Sequence, residues 1–138
     1  MNQVQIASLQ FEIHQTPLER LTYEGSDLIV EFDNAKGERV RLKFSPWQAL
    51  KVTTIDCFDM RTILIENHLS RHLLEVRESQ WIKALNEELH QHDHHATFLD
   101  RAHHFVLPFQ DNIVEVIAWG FEYSLFCATN VSSPYPLD

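Results

Sequence analysis

Alternation of apolar and polar residues predicts that the first 56 residues are β-structure. Between Arg39 and Phe44, three basic residues alternate with three apolar residues, which is the two-residue period of a strand with one buried face. Residues 27–32 read as another strand, and residues 33–37 supply Asp, Asn and Gly that suit a tight turn. These two strands are expected to form a β-hairpin. Further strands are expected at residues 9–13, 20–24 and 50–56.

One segment has helical periodicity. Trp81, Ile82, Leu85 and Leu89 recur at the spacing of one helix face, and Ser79 just before them is a favoured helix N-cap. The pattern predicts a helix over residues 80–91. The predicted helix ends in a run of histidines, whose protonated form is compatible with the negative end of the helix dipole.

The chain returns to β-structure after the helix. Residues 105–107 and 113–119 are apolar on both strand faces, as expected for a central hairpin that is covered on both sides. Residues 73–77 predict one more strand, whereas residues 62–65 fit either a strand or an irregular edge. Residues 132–138 are proline-rich and are expected to be a loosely ordered tail.

These elements define the expected fold class. Strands on both sides of a single helix, joined by short turns, predict an α+β domain with an antiparallel sheet. One helix cannot cover about seven strands, so the sheet is expected to be strongly bent or a half-barrel. With 138 residues in all, the chain is expected to form a single domain over residues 1–131.

The net charge of the chain limits the classes of molecule that are expected to bind it. Twenty acidic residues against 11 basic residues give a net charge of −9, which argues against nucleic acid and anionic membranes as partners. A protein partner with a basic surface is favoured instead. The first residues lack the basic end and apolar run of an export signal, so a cytoplasmic location is expected. The exposed edges of the sheet make a homodimer an alternative assembly.

Nine histidines in the chain are unusual, and four of them are clustered. His90 and His94 share a helix face if the helix continues, and neutral imidazole is a ligand for zinc, nickel or copper. His92 and His95 complete the candidate metal site. Such clusters also occur in solvated loops, so no cofactor is expected and a divalent transition metal is the alternative.

A second cluster belongs to the terminal hairpin and comprises His103, His104, Asp111 and Glu115. If its turn has three residues, Leu107 faces Glu115 across the strands, and His104 lies on the opposite sheet face. A carboxylate among apolar side chains needs a partner or a raised pKa. The cluster is therefore a candidate for catalysis or ligand binding, and equally for a buried structural pair.

Known catalytic signatures are missing. The sequence contains no GxSxG, P-loop or GxGxxG pattern. Several of its segments resemble those of small uncharacterised bacterial proteins. These segments are Leu73-Leu74-Glu75-Val76, Ser79-Gln80-Trp81-Ile82, Ala102-His103-His104-Phe105-Val106-Leu107 and Glu115-Val116-Ile117-Ala118, together with Asp111. Some of those proteins are immunity-protein-like. The resemblance implies a bacterial cytosolic origin and, for the immunity-like members, a protein partner.

Three functions follow from these observations. The leading hypothesis is a non-enzymatic protein-binding or accessory module, with Arg39, Arg41 and Lys43 as a candidate interaction patch. The first alternative is a small-molecule-binding protein or enzyme with a His/Asp/Glu cleft on the terminal hairpin. The second alternative is a metal-binding protein that uses the histidine run.

Overall fold

Nine strands, one α-helix and three short 3₁₀ turns make up the part of the chain that the computed structural model describes, residues 3–14 and 19–126. The strands are β1 (Gln3–Ser8), β2 (Arg20–Glu24), β3 (Asp27–Asp33), β4 (Arg39–Phe44), β5 (Trp47–Thr54), β6 (Leu73–Arg77), β7 (His103–Pro108), β8 (Asn112–Ala118) and β9 (Phe121–Phe126). The helix is α1 (Gln80–His92), and the 3₁₀ turns are Ile55–Cys57, Met60–Ile63 and Phe98–Arg101.

The strands form two antiparallel sheets. The larger sheet has the strand order β1-β6-β7-β8-β5, and the smaller sheet has the order β2-β3-β4-β9. The central positions of β7 and β8 agree with their apolar composition, because a strand covered on both faces needs no polar face.

The main hydrophobic core lies between the two sheets. Alternate residues of the smaller sheet, such as Val30 and Leu42, are fully buried and belong to one cluster with Leu107 and Val116 of the larger sheet. Aromatic rings bridge the two layers, and the ring centroids of Phe44 and Phe105 are 5.4 Å apart. One core therefore joins the two sheets.

A second, smaller core covers the opposite face of the larger sheet. Leu74, Val106 and Ile113 are fully buried there, under the segment that links β5 to β6 and beside α1. This face also carries the polar residues described below. The larger sheet is thus a middle layer between the smaller sheet and the helix.

The prediction of an α+β domain with antiparallel strands is confirmed, but the sheet arrangement is different. The described residues form two packed sheets with nine strands, instead of one bent or half-barrel sheet of about seven strands. The physical reason is that a second sheet, rather than strong bending, buries the inner face of the larger sheet.

The individual helices and strands agree with the sequence-based prediction to different degrees. The helix, the β3–β4 hairpin and the strand at residues 73–77 lie where the pattern predicts them. The first strand is Gln3–Ser8 instead of residues 9–13, where Ile13 makes only an isolated bridge to Asn34. Residues 62–65 include the end of a 3₁₀ turn, and β9 was not predicted.

The predicted tail at residues 132–138 lies outside the described residues. None of the helices in the described ranges is long and apolar enough to cross a membrane.

Candidate functional site

A continuous chain of hydrogen bonds joins Ser79, His104 and Glu115. The Ser79 Oγ is 2.7 Å from His104 Nδ1, and His104 Nε2 is 2.8 Å from a carboxylate oxygen of Glu115. The three residues are only 5%, 5% and 7% exposed, respectively. A serine, a histidine and a carboxylate in this order are the elements of a nucleophilic relay.

Three elements position these side chains. Ser79 is the N-cap of α1 and follows β6 after a single residue, Glu78, whose φ of 53° lies in the left-handed region. His104 lies on β7, where it pairs with Val76 of β6. Because β6, β7 and β8 are adjacent in the sheet, the three side chains meet under the first turn of α1.

The carboxylate fixes the roles of the two imidazole nitrogens. An ionised Glu115 can only accept a hydrogen bond, so His104 Nε2 donates to it. In the neutral imidazole, Nδ1 then carries the lone pair and accepts the hydroxyl proton of Ser79. The Ser79 oxygen also accepts a hydrogen bond from the backbone N–H of Ile82 at 3.1 Å. Each polar atom that joins the chain therefore has a partner with the matching donor or acceptor role.

An aromatic ring and a cation cover the chain on the helix side. The Trp81 ring packs edge-on against the imidazole of His104, with centroids 5.3 Å apart. The ammonium group of Lys51 lies 4.1 Å from the centroid of that indole. Lys51 pairs with Glu115 in the β5–β8 register, so a positive charge is held near the relay.

A cavity of about 420 Å³ opens beside the relay. Ser79 and His104 line it, together with apolar residues such as Val76 and Leu99 and with charged residues that include Glu75, Lys83 and Asp100. Its volume falls within the range of small-molecule sites, roughly 300–1,000 Å³. The serine–histidine end of the relay therefore faces a space that can hold a small ligand, whereas the carboxylate lies behind the histidine.

One buried polar atom in this wall has no hydrogen-bond partner. Asn86 lines the cavity, and its Oδ1 is buried without a partner among the described residues. Buried polar atoms are nearly always hydrogen-bonded. Asn86 Oδ1, two helical turns from Ser79, is therefore a buried acceptor that neither the described chain nor solvent satisfies.

The hairpin register differs from the expected one and explains how the relay forms. Phe109 and Asn112 pair, so the β7–β8 turn has two central residues instead of three. Val106, rather than Leu107, therefore faces Glu115. Since one residue of slip moves every side chain to the other face, His104 lies on the face of Glu115 and contacts it.

The other two candidates of the hairpin are not members of the hydrogen-bonded relay, although His103 lines the same cavity. His103 is on the opposite strand face, where its Nδ1 is 2.6 Å from a carboxylate oxygen of Glu75. Asp111 is exposed in the turn, and its backbone oxygen accepts a hydrogen bond from Ile55. The structure therefore brings together two of the four hairpin candidates and adds Ser79, which the sequence marked only as a helix cap.

The candidate interaction patch lies on the outer face of the smaller sheet. Arg39 makes a salt bridge to Asp33 at 3.0 Å, and Lys43 makes one to Glu122 at 3.4 Å. Arg41 pairs with Glu31 in the β3–β4 register. Because acidic residues of neighbouring strands accompany this stripe, its positive potential is partly neutralised, and its use as an interface stays a prediction.

The clustered histidines make local hydrogen bonds. The His90 ring bonds to the backbone oxygen of Ala96, and the His94 ring bonds to the backbone oxygen of His90, both at 3.0 Å. His92 bonds to Glu88 at 3.0 Å, and the His95 ring packs edge-on against that of His94. Within residues 3–14 and 19–126, no group of three or more His, Cys, Asp or Glu residues is arranged to hold a metal ion.

Metal binding at this cluster can be tested by a double substitution. We expect zinc chloride to change the melting temperature of the untagged protein and of His90→Ala/His94→Ala equally, because both rings are already engaged within the chain. Differential scanning fluorimetry with and without zinc measures this. A zinc-dependent rise confined to the wild type would instead establish the cluster as a metal site.

Comparison of the chain with models of known protein families, with curated proteins and with solved structures gives no match.

Proposed function

We propose that the protein is a serine-type hydrolase that cleaves an ester or amide bond of a small molecule bound beside α1. The observation that carries the proposal is the Ser79–His104–Glu115 hydrogen-bond chain, whose serine end lines a cavity. A nucleophile, a base and a group that orients the base are the three parts that acyl transfer requires.

The proposed reaction has two steps. The Ser79 oxygen attacks the carbonyl carbon while its proton passes to His104 Nδ1; the bond to the leaving group then breaks, and His104 protonates that group. Water then attacks the acyl-enzyme with His104 again acting as the base, which releases the acid and restores Ser79. Glu115 holds the imidazole orientation and stabilises the imidazolium.

The start of α1 supports the same role. The backbone N–H groups of Gln80 and Trp81 lie in the first turn, where no carbonyl of the helix is available to them. They also lie at the positive end of the helix macrodipole. Such donors next to a nucleophile can stabilise the negative oxygen that develops on the substrate.

This proposal differs from the protein-binding role that the acidic sequence favours. A buried Ser–His–Glu chain also stabilises folding, and folding alone would account for its hydrogen bonds. Folding does not require the serine and histidine to line a cavity. We therefore take the cavity as the feature that favours a catalytic role for these residues over a purely structural one.

A fluorophosphonate probe tests the proposal. The serine oxygen displaces fluoride from phosphorus, and we expect one stable adduct, located at Ser79 by peptide mass spectrometry. Ser79→Ala should lose the adduct completely. Ser70→Ala is the matched control, because Ser70 Oγ also lies 2.8 Å from a histidine, His72.

The control separates a relay from a simple serine–histidine contact. In the described part of the chain, His72 makes no hydrogen bond to a carboxylate, so Ser70→Ala should label as fast as the wild type. Absence of labelling in the folded wild type, or equal labelling of Ser79→Ala, would contradict the proposed function.

A further inference from the structure

We infer that a separate site at the edge of the smaller sheet binds a small organic cation, an amine joined to a short apolar group. The site is a cavity of about 490 Å³ that is lined by the β3–β4 turn, residues 9–12 and the edge strand β9. It shares no lining residue with the cavity beside α1. The inference is therefore independent of the proposed hydrolase function.

A carboxylate in the wall of this cavity is held in position. Glu38 Oε1 accepts a hydrogen bond from Nδ2 of Asn34 at 2.9 Å, and Asn34 is only 4% exposed. Asn34 Oδ1 in turn accepts hydrogen bonds from the backbone N–H groups of Lys36 and Glu38, at 3.0 and 2.9 Å. Among the described residues, Glu38 Oε2 has no partner, so one oxygen of an oriented carboxylate is available to a ligand.

Tyr123 and His72 add polar groups that can still form hydrogen bonds. The ring of Tyr123 stacks on that of Phe11 with centroids 5.2 Å apart, and its hydroxyl has no hydrogen-bond partner in the described part of the chain. The Nδ1 of His72 lies 2.8 Å from Ser70 Oγ, which leaves Nε2 for another partner. Both side chains line the cavity. A ligand with several N–H groups can therefore be bound by more than the carboxylate alone.

The charges around the cavity favour a positive ligand. Glu12 and Glu38 line it, against the single ammonium group of Lys36. Burial, and to a smaller extent the Glu38 carboxylate, raises the pKa of Tyr123, which means that negative charge is disfavoured at this hydroxyl. A cation instead gains a charge-assisted hydrogen bond to Glu38 and can lie against the aromatic ring of Tyr123.

Two leucines at the cavity favour a ligand with an apolar part. Leu9 and Leu125 line the cavity and are 76% and 44% exposed. A hydrocarbon group that covers them removes apolar surface from water and strengthens binding in proportion to the area buried. The volume of the cavity falls in the range of small-molecule sites, roughly 300–1,000 Å³.

Three compounds of similar size test the sign of the ligand charge. At neutral pH, 2-phenylethylamine is cationic, 2-phenylethanol is neutral and phenylacetate is anionic. Titration of each into ¹⁵N-labelled protein, followed by two-dimensional NMR, measures both affinity and location. We expect the amine to bind with a dissociation constant of about 1 mM and to shift the backbone signals of residues 9–12 and 34–38. The other two compounds should bind at least about tenfold more weakly.

Substitutions in the wall test the role of its charges. Glu38→Gln keeps an acceptor for Asn34 but removes the charge, so it should weaken binding of the amine about tenfold. Lys36→Gln removes the competing cation and should strengthen binding about threefold. Glu122→Gln is the matched control, because Glu122 is an exposed carboxylate of β9 that does not line the cavity. It should bind the amine as the wild type does.

Several results would overturn the inference. They are equal affinity for the three compounds, signal shifts confined to residues outside the cavity, and equal losses for Glu38→Gln and Glu122→Gln. The NMR spectra also show whether each variant is folded. Because the two cavities are separate, a failure of Ser79 to react with the fluorophosphonate probe would contradict the proposed function and leave this site unaffected.

Discussion

Replacing Glu115 by alanine is expected to lower the free energy of unfolding by about 1–3 kcal/mol, because it leaves the Nε2 N–H of the neutral His104 imidazole buried without an acceptor. The side chains of His104 and Glu115 are only 6% and 9% exposed. Without the carboxylate, the Nε2 group of His104 loses its partner in a place where water cannot replace it. Urea denaturation followed by far-UV circular dichroism measures the change.

A neighbouring pair provides the matched control. His103 and Glu75 are closer together, with 2.6 Å between Nδ1 and the carboxylate oxygen, but their side chains are 47% and 20% exposed. Because solvent competes with exposed ion pairs, Glu75→Ala should lower the free energy of unfolding by less than about 1 kcal/mol. Equal effects at the two positions would contradict the importance that we assign to burial.

A double substitution separates stability from function. His104→Leu/Glu115→Leu removes both polar partners and fills most of their volume with apolar atoms, so it should be more stable than Glu115→Ala. It should nevertheless fail to react with the fluorophosphonate probe. Reaction of this variant at the wild-type rate would mean that His104 does not activate Ser79.

Replacing Glu115 by glutamine is expected to slow the reaction of Ser79 with the probe by about 10⁴-fold, by analogy with the loss of kcat when the triad aspartate of a serine protease is replaced by asparagine. The amide has nearly the same shape as the carboxylate, but it can donate a hydrogen bond to His104 Nε2. That contact favours the tautomer with its proton on Nδ1. The imidazole then can no longer accept the proton of Ser79.

The measurement is the second-order labelling rate, with the free energy of unfolding determined for the same samples. Glu122→Gln is the control, because Glu122 is an exposed carboxylate on β9 and contacts Lys43 instead of a histidine. It should label at the wild-type rate. A labelling rate for Glu115→Gln within about tenfold of the wild-type value would contradict the proposed relay.

The local elements could be predicted because their signals lie within a few residues. The alternation from Arg39 to Phe44 and the cap at Ser79 both define structure through nearest neighbours, and both are found as expected. The edge strands β1 and β9 have weaker patterns, because several of their side chains are exposed on both faces. The second sheet depends on contacts between distant segments, which periodicity does not report.

The candidate site could be predicted only in part. The sequence identifies Glu115 as a carboxylate in an apolar strand that needs a partner, but its contact with His104 depends on one residue of turn length. The contribution of Ser79 depends on β6 lying next to β7 in the sheet. Neither the turn length nor the strand order can be read from the spacing of residues along the chain.

The packing of α1 has a consequence for how a ligand reaches Ser79. No residue of the helix is fully buried, whereas β7 and β8 are buried along almost their entire length. Segments with few buried contacts open locally at a lower free energy than the whole protein unfolds. The first turn of α1 can therefore separate from the sheet transiently while the core between the two sheets stays intact, and such openings would expose the serine to solvent and substrate.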